Sequence, residues 1–196
     1  VIKGGCMSDS WDDYAQGWDD NPDVIQYAQL AFDSLVKRYD VAGLTILDFG
    51  CGTGLLSEKL AQAGAHVVSV DPSTKMIEIL ANKKISQVQV LACEISPQTI
   101  AAEPLLSNDF DLVVASSVCT FLPDFSTTLA SIASLLKPEG VFVQWDWMSS
   151  DANPNFGFDR QTLLQAYERA GLSLVDVAKG FTLTSYKGSM DVIMGI

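Results

Sequence analysis

Positive charge is scarce in this sequence. Twelve Lys and Arg stand against 24 Asp and Glu, a formal net charge of −12 over 196 residues. A DNA or RNA binder needs Lys and Arg clustered opposite phosphates, and no such cluster occurs. The expectation is therefore no nucleic-acid partner and no anionic membrane surface. A neutral or cationic small ligand suits the balance better. Histidine is limited to His66. The four cysteines, Cys6, Cys51, Cys93 and Cys119, form no CxxC pair, and no Cys/His group has zinc-ligand spacing. No metal site is expected. Three of the cysteines lie in apolar stretches, where Cys acts as a small hydrophobe, so reduced thiols and a cytoplasmic setting are expected.

Long apolar runs are also missing. No run of about eighteen apolar residues exists to span a membrane. The opening VIKGGCMSDS has no apolar core of a signal peptide. Met7 is a candidate start, with Val1–Cys6 left by cloning or by a different start codon. No repeat or low-complexity stretch stands out.

What is present is a hydrophobic share of 48%, enough for a substantial core in one domain of ordinary size. From Leu44 onward, short apolar runs alternate with helical patterns. Strands are predicted at Leu44–Asp48, His66–Val70, Val88–Leu91, Phe110–Ala115 and Val141–Trp145. Helices are predicted at Gly54–Gly64, Asp71–Asn82, Phe125–Leu136 and Asp159–Ala170. Pro72 and Ser73 suit the first turn of the second helix, and KPEG reads as a turn before the fifth strand. Two late β-like runs follow, Ser173–Ala178 and Met190–Ile196. Such alternation implies βαβ units, right-handed crossovers and a doubly wound α/β sheet. Residues of about 8–42 carry helical patterns and aromatics but no strand. They read as a helical cap on a sheet core of about 43–196, the whole forming one domain, 1–196.

ILDFGCGTG, from Ile46 to Gly54, places Gly50, Gly52 and Gly54 at alternate positions after a strand and an acid. In a doubly wound sheet the first strand–helix turn lies beyond the strand's carboxyl end, where ligands bind. Glycines there permit unusual backbone angles and close approach of a ligand. Asp71 ends the second strand, where an acid can accept hydrogen bonds from ribose hydroxyls. A plain tight turn with an N-cap acid is the bland alternative; loop and acid at this spacing favour a nucleoside ligand.

ILDFGCGTG, VVSVDPS, FDLVVASSVCTFLPD and LLKPEGVFV occur in this order. Together they resemble the class I S-adenosylmethionine-dependent methyltransferases of the small-molecule methyltransferase-domain type, over roughly Trp11 to the C-terminus. The resemblance implies a Rossmann-like seven-stranded sheet, mostly parallel, in which SMDVIMGI is an antiparallel last strand between strands five and six. It implies S-adenosyl-L-methionine as cofactor, S-adenosyl-L-homocysteine as product, and a small-molecule methyl acceptor. Gly50, Cys51, Gly52, Thr53 and Gly54 would face the methionine part. Asp48 would sit near its amino group or bond the loop. Asp71, with Pro72 and Ser73, would serve the ribose. Met76 would pack on adenine or serve as a core residue of its helix. The family usually carries an Asp after strand three; here Cys93-Glu94-Ile95 stand, and Glu94 takes that place. Ala115, Ser116 and Ser117 would line the methionine side.

The strand-four stretch reads ASSV rather than the (N/D)PPY of DNA amino-methyltransferases. Many small-molecule relatives carry a His pair four residues on, where this chain has Thr120-Phe121. His66, at the start of strand two, is read as structural. An in-line displacement at a sulfonium needs positioning more than a strong base. Trp11, Tyr14 and Trp18, at helical spacing, form a candidate lid or simply dock the cap; Tyr14 and Trp18 are also cofactor-contact candidates. QWDWM places Trp145, Asp146 and Trp147 near the same mouth, with Asp146 on the face opposite the two tryptophans. Tyr14 and Asp146 are the candidates for a catalytic group, with a loop carboxylate as the plainer role for Asp146. Two rivals are kept: a non-catalytic relative that binds the cofactor, and an NAD(P)-linked oxidoreductase, which Leu55 in place of a further glycine disfavours.

Overall fold

The computed structural model describes residues 7–107, 110–150, 156–173, 176–185 and 188–196. The cap comprises α1 (Met7–Ala15), a 3₁₀ turn at Trp18–Asp20 and α2 (Pro22–Val36). The sheet strands are β1 (Thr45–Phe49), β2 (His66–Asp71), β3 (Val88–Ala92), β4 (Phe110–Ser116), β5 (Leu136–Trp147), β6 (Val177–Ser185) and β7 (Gly188–Gly195). Between them run α3 (Leu55–Gln62), α4 (Thr74–Asn82), α5 (Pro97–Ala102), α6 (Phe125–Ala133) and α7 (Arg160–Arg169). The strand order is β3-β2-β1-β4-β5-β7-β6. The first five strands are parallel, and β7 is antiparallel to both neighbours. The doubly wound sheet and the antiparallel SMDVIMGI strand are as expected.

Strand alternation divides the core. Ile46, Val67, Leu112, Val114 and Val143 point to one face, beside α2 and α3 residues such as Leu35 and Leu60. Leu47, Val68, Val113 and Phe142 point to the other, against Leu129, Ile132 and Tyr167 of α6 and α7. Burial of both faces explains the unbroken apolar strands. Helix starts follow local chemistry. Asn21 accepts from the Asp23 N–H at 3.0 Å ahead of Pro22, Asp124 accepts from Thr127 N–H, and Asp159 accepts from Thr162 N–H.

Four details differ from the sequence expectation. Ser73 is the N-cap of α4, accepting from Met76 N–H at 3.2 Å, so Asp71 belongs to β2 and Pro72 lies in the link. KPEG lies within β5. Leu136 pairs with Phe110 and Val141 with Leu112, so five steps on one strand match two on the other. Glu139 takes up the slack with φ of 66°. The short helix α5 was not foreseen; Ser96 and Thr99 close it with a reciprocal capping box. The late run predicted at Ser173–Ala178 falls partly on residues outside the described set, and the strand observed there is β6, farther along.

Candidate functional site

Between β1 and β4 the sheet's winding reverses, and the carboxyl ends of those strands open into a cavity of about 730 Å³. The loop after β1 is one wall. Gly50 and Cys51 N–H groups both donate to the Val70 carbonyl, at 2.8 and 3.1 Å, and Gly54 N–H donates to the Cys51 carbonyl at 2.9 Å. Gly52 N–H donates to Asp71 Oδ2 at 2.9 Å, while Asp71 Oδ1 accepts from Ser73 N–H at 2.9 Å. Asp71 thus fixes the loop and the entry to α4 together. A carboxylate has about four acceptor sites, so two bonds leave capacity for a ligand.

The glycines have separate reasons. All three have positive φ. A Cβ on Gly50 would lie 2.3 Å from Val118 Cγ2, and one on Gly54 would lie 2.2 Å from Leu80 Cδ1. Those positions are emptied by protein packing. At Gly52 a Cβ would meet only Trp18 Nε1 at 3.6 Å and Met76 Sδ at 4.0 Å. Of the three missing side chains, only the one at Gly52 leaves its room to the cavity.

Asp48 is buried beneath the loop. Its Oδ2 accepts from Ser57 Oγ at 2.5 Å, and Ser69 Oγ donates to Ser57 Oγ at 2.8 Å. Burial, aided by the nearby Asp71 charge, pushes the Asp48 carboxyl up to about 7. Asp71 is also raised by burial, against the pull of its two N–H partners. Asp23 and Glu94 join these acids on the wall. No Lys, Arg or His lines the cavity among the described residues. Toward β5 and β6 the lining turns apolar, with Leu122, Trp147, Leu183 and Met190.

The structure brings Trp18, Asp48, Gly50, Cys51, Gly52, Thr53, Asp71, Pro72, Met76, Cys93, Glu94, Ile95, Ser116 and Ser117 onto this one cavity. Gly54, Ser73 and Ala115 stand behind it, the first two shaping the loop and helix and the last fully buried. Tyr14 is 53% exposed and does not line the cavity. The aromatic stripe is broken because α1 ends at Ala15 and Gly17 turns the chain with φ of 81°. Trp11 and Trp18 face inward while Tyr14 faces out. The cap is fastened rather than loose. Asp12 accepts from Ser73 Oγ, Asp19 accepts from Thr53 Oγ1, and Lys83 Nζ lies 2.8 Å from Asp19 Oδ2.

Asp146 is not at the mouth. It is fully buried and accepts from Cys119 N–H at 3.2 Å, Thr120 N–H at 3.1 Å and Thr120 Oγ1 at 2.5 Å. Burial lifts its carboxyl to about 6 against those bonds. It lies inside β5, not in a loop, and holds the turn after β4. Trp145 is buried too, donating from Nε1 to Ser34 Oγ at 2.7 Å; of the two tryptophans only Trp147 reaches the cavity. Sequence reasoning missed Tyr27, Val24 and Asp23 of α2. Tyr27 opens the buried stripe Tyr27, Ala28, Ala31 and Leu35 of α2, but nothing local says that the start of this helix faces a ligand.

The family model described as "Methyltransferase domain" matches residues 47–144. The chain belongs to this family. It is 35% identical over 127 residues to a ubiquinone biosynthesis O-methyltransferase of Xanthomonas oryzae pv. oryzae, covering 63% of this chain and 52% of that one. The chain spans about half the length of the curated relatives it matches. Its fold matches a SAM-dependent methyltransferase from Aquifex aeolicus with TM-score 0.70, 19% identity, and coverage of 94% and 98%. It also matches the magnesium protoporphyrin IX methyltransferase of Synechocystis PCC 6803, solved with bound SAM, with TM-score 0.65, 20% identity, and coverage of 88% and 79%. No helix among the described residues is long and apolar enough to cross a membrane.

Proposed function

We propose that this chain, acting as one domain in the cytoplasm, transfers a methyl group from S-adenosyl-L-methionine to a small, uncharged, largely apolar acceptor, releasing S-adenosyl-L-homocysteine. The observation that carries the reading is the cavity itself: a glycine loop open at Gly52, an acid wall of Asp48, Asp71 and Glu94, and no lining cation. That wall fits a ligand with a positive sulfonium, an ammonium and a ribose. Asp71 keeps acceptor capacity for ribose hydroxyls, Asp48 faces the ammonium, and Met76 lies beside the space for the base. The cofactor supplies the activated methyl group.

The protein's own contribution is positioning and exclusion of water. Trp11 and Trp18 close one side of the cavity, held by Asp12 and Asp19 on Ser73 and Thr53. Leu183, Met190 and Trp147 shape an apolar end where an acceptor can lie. The curated relatives are named as O-methyltransferases, and an oxygen nucleophile is the acceptor class carried over from them. No histidine stands ready to take a proton, so the rate rests on alignment, which can reach effective molarities of about 10⁵–10⁸ M.

Thermal midpoints with S-adenosylhomocysteine and with NAD test the cofactor, since a ligand of the folded state raises its stability by mass action. A rise with S-adenosylhomocysteine alone is expected. A rise with NAD alone would overturn the reading in favour of an oxidoreductase. A screen of small phenols, alcohols and amines for S-adenosylhomocysteine release then tests turnover. Binding without turnover on any class would leave a non-catalytic binder.

A further inference from the structure

An oxygen acceptor that gains a methyl group must lose a proton, and alignment by itself does not carry that proton away. Few groups could take it. Asp146 is fully buried and already held by Cys119 and Thr120. Tyr14 lies outside the cavity, and no Lys, Arg or His lines it among the described residues. Four carboxylates do line it: Asp23, Asp48, Asp71 and Glu94. Asp48 accepts from Ser57 Oγ, and Asp71 holds the N–H groups of Gly52 and Ser73. Glu94 follows β3, at the sheet edge opposite β6. Asp23 differs from all three. Its N–H donates to Asn21 Oδ1, but its carboxylate has no hydrogen bond or ion pair among the described residues.

The fold sets Asp23 at the apolar end of the cavity. β5 ends at the cavity with Trp147, and β7 is antiparallel to both β5 and β6, so β6 also runs toward the cavity. α2 runs the opposite way. Asp23, Val24, Tyr27 and Ala28 line the cavity, while Ala31 and Leu35 lie in the core. The Tyr27 ring packs on Trp147 and Phe181, with centroids 5.3 and 5.1 Å away, which fixes the level of α2 against the sheet. Asp23 is one turn back from Tyr27, about 6 Å toward the cavity end. Leu183 is two residues on from Phe181, about 6.6 Å in the same direction. Leu183 pairs with Met190 across the hairpin, and both line the cavity. Asp23 thus stands level with the Leu183–Met190 pair, and the lean of helical side chains toward the helix start keeps its carboxylate at that end. One unpaired acceptor in an apolar wall suits a ligand that brings a hydroxyl on an apolar body.

We propose that Asp23 is the catalytic carboxylate of the acceptor end: it accepts a hydrogen bond from the acceptor hydroxyl, aligns that oxygen and takes its proton. The assignment rests on the methyltransferase reading and makes a phenol or alcohol the acceptor class. As the acceptor O–C bond forms, the methyl–sulfur bond breaks and its electron pair stays on sulfur. The acceptor proton passes to an Asp23 oxygen and then to water, which restores the carboxylate. Asp23 is only half-buried, so water can reach it for that last transfer.

The test pairs 2-naphthol with its methyl ether, 2-methoxynaphthalene, which keeps the rings but has no proton to donate. With the protein saturated by S-adenosylhomocysteine, wild type should bind the naphthol about 10- to 100-fold tighter than the ether, as a hydrogen bond to a charged group allows. Asp23→Ala should abolish that preference and leave S-adenosylhomocysteine affinity unchanged. Asp23→Asn keeps an acceptor oxygen but cannot serve as the base. With S-adenosylmethionine and 2-naphthol its kcat at pH 7 should fall about 10²–10⁴-fold with little change in KM. The loss should shrink as pH rises toward about 10, where a phenol ionises unaided. Wild-type kcat in a folded Asp23→Asn protein, or a loss equal at every pH, would overturn the proton transfer. Weaker S-adenosylhomocysteine binding in step with kcat would overturn the proposal by moving Asp23 to the cofactor. Equal binding of naphthol and ether by loaded wild type, or binding of neither, refutes the contact without any variant. Where wild type turns over no naphthol, the binding preference and its loss in Asp23→Ala decide alone. If wild type fails to bind S-adenosylhomocysteine, the methyltransferase reading itself fails and takes the proposal with it, an outcome distinct from the others.

Discussion

Gly50→Ala, Gly52→Ala and Gly54→Ala separate the two reasons for which the loop is stripped of side chains. The backbone penalty is shared, because φ is 70°, 54° and 81° at the three positions. Holding an alanine there costs about 1–2 kcal/mol. Beyond that the variants part. The new methyl at Gly54 would press on Leu80, itself 2% exposed, and the one at Gly50 on the β-branched Val118. Overpacking of that kind adds about 1–3 kcal/mol. For a domain of this size each kcal/mol lowers the midpoint by about 2–4 °C. Gly50→Ala and Gly54→Ala should therefore melt about 2–12 °C below Gly52→Ala. Ligand affinity should rank the other way. Gly52→Ala fills cavity space and should weaken S-adenosylhomocysteine more than tenfold while the fold survives, and Gly52→Val more severely. The measurements are scanning calorimetry without ligand and titration at 25 °C. Wild-type affinity in Gly52→Ala, or a Gly54→Ala as stable as Gly52→Ala, would refute the division.

Two further outcomes follow from the buried acids. The Asp48 carboxyl titrates near 7 in the folded protein, above its ordinary 3.8, so the native state binds this proton more tightly than the unfolded chain does. Its contribution to stability is fully present below about pH 4, is lost as pH rises toward 7, and is level above that. Asp48→Asn should accordingly raise the ligand-free midpoint relative to wild type at pH 8 and little at pH 4, while weakening S-adenosylhomocysteine at pH 8; equal midpoint shifts at both values would remove Asp48 as the titrating group. Asp146→Ala strands two buried N–H groups, each costing about 1–3 kcal/mol, and should lower the midpoint by several degrees. Asp146→Asn keeps an acceptor and should retain at least a tenth of turnover, whereas abolished turnover in a stable Asp146→Asn protein would restore Asp146 as the general base.

The fold was legible because its signals are local. Short unbroken apolar strands and a helix bounded by Gly54 and Gly64 state their structure within a few residues. What escaped was set by partners far away in sequence. The excursion at Lys137–Gly140 reads as a turn because only the flanking Leu136 and Val141 pair with β4 and hold it in the strand. Trp11, Tyr14 and Trp18 have helical spacing, yet α1 ends at Ala15 and Gly17 turns the chain before Trp18, so Trp18 leaves the stripe while Tyr14 stays exposed. Asp146 reads as a free carboxylate after a strand until the turn at Cys119–Phe121 folds back onto it.

The site residues follow the same division. Gly50–Gly54 and Asp71 could be picked out because their spacing on one strand–loop–helix unit already fixes where they meet. Their separate tasks could not. Asp71 holds Gly52 N–H and Ser73 N–H at 2.9 Å each before any ligand enters, so one carboxylate organises the loop and offers its remaining lone pairs to a ribose. The cap is tied to the same two segments, through Asp12 on Ser73 and Asp19 on Thr53. A ligand that adds bonds to Asp71 thereby tightens the loop, the start of α4 and the cap together. That places the affinity of the cavity partly in groups that never touch the ligand.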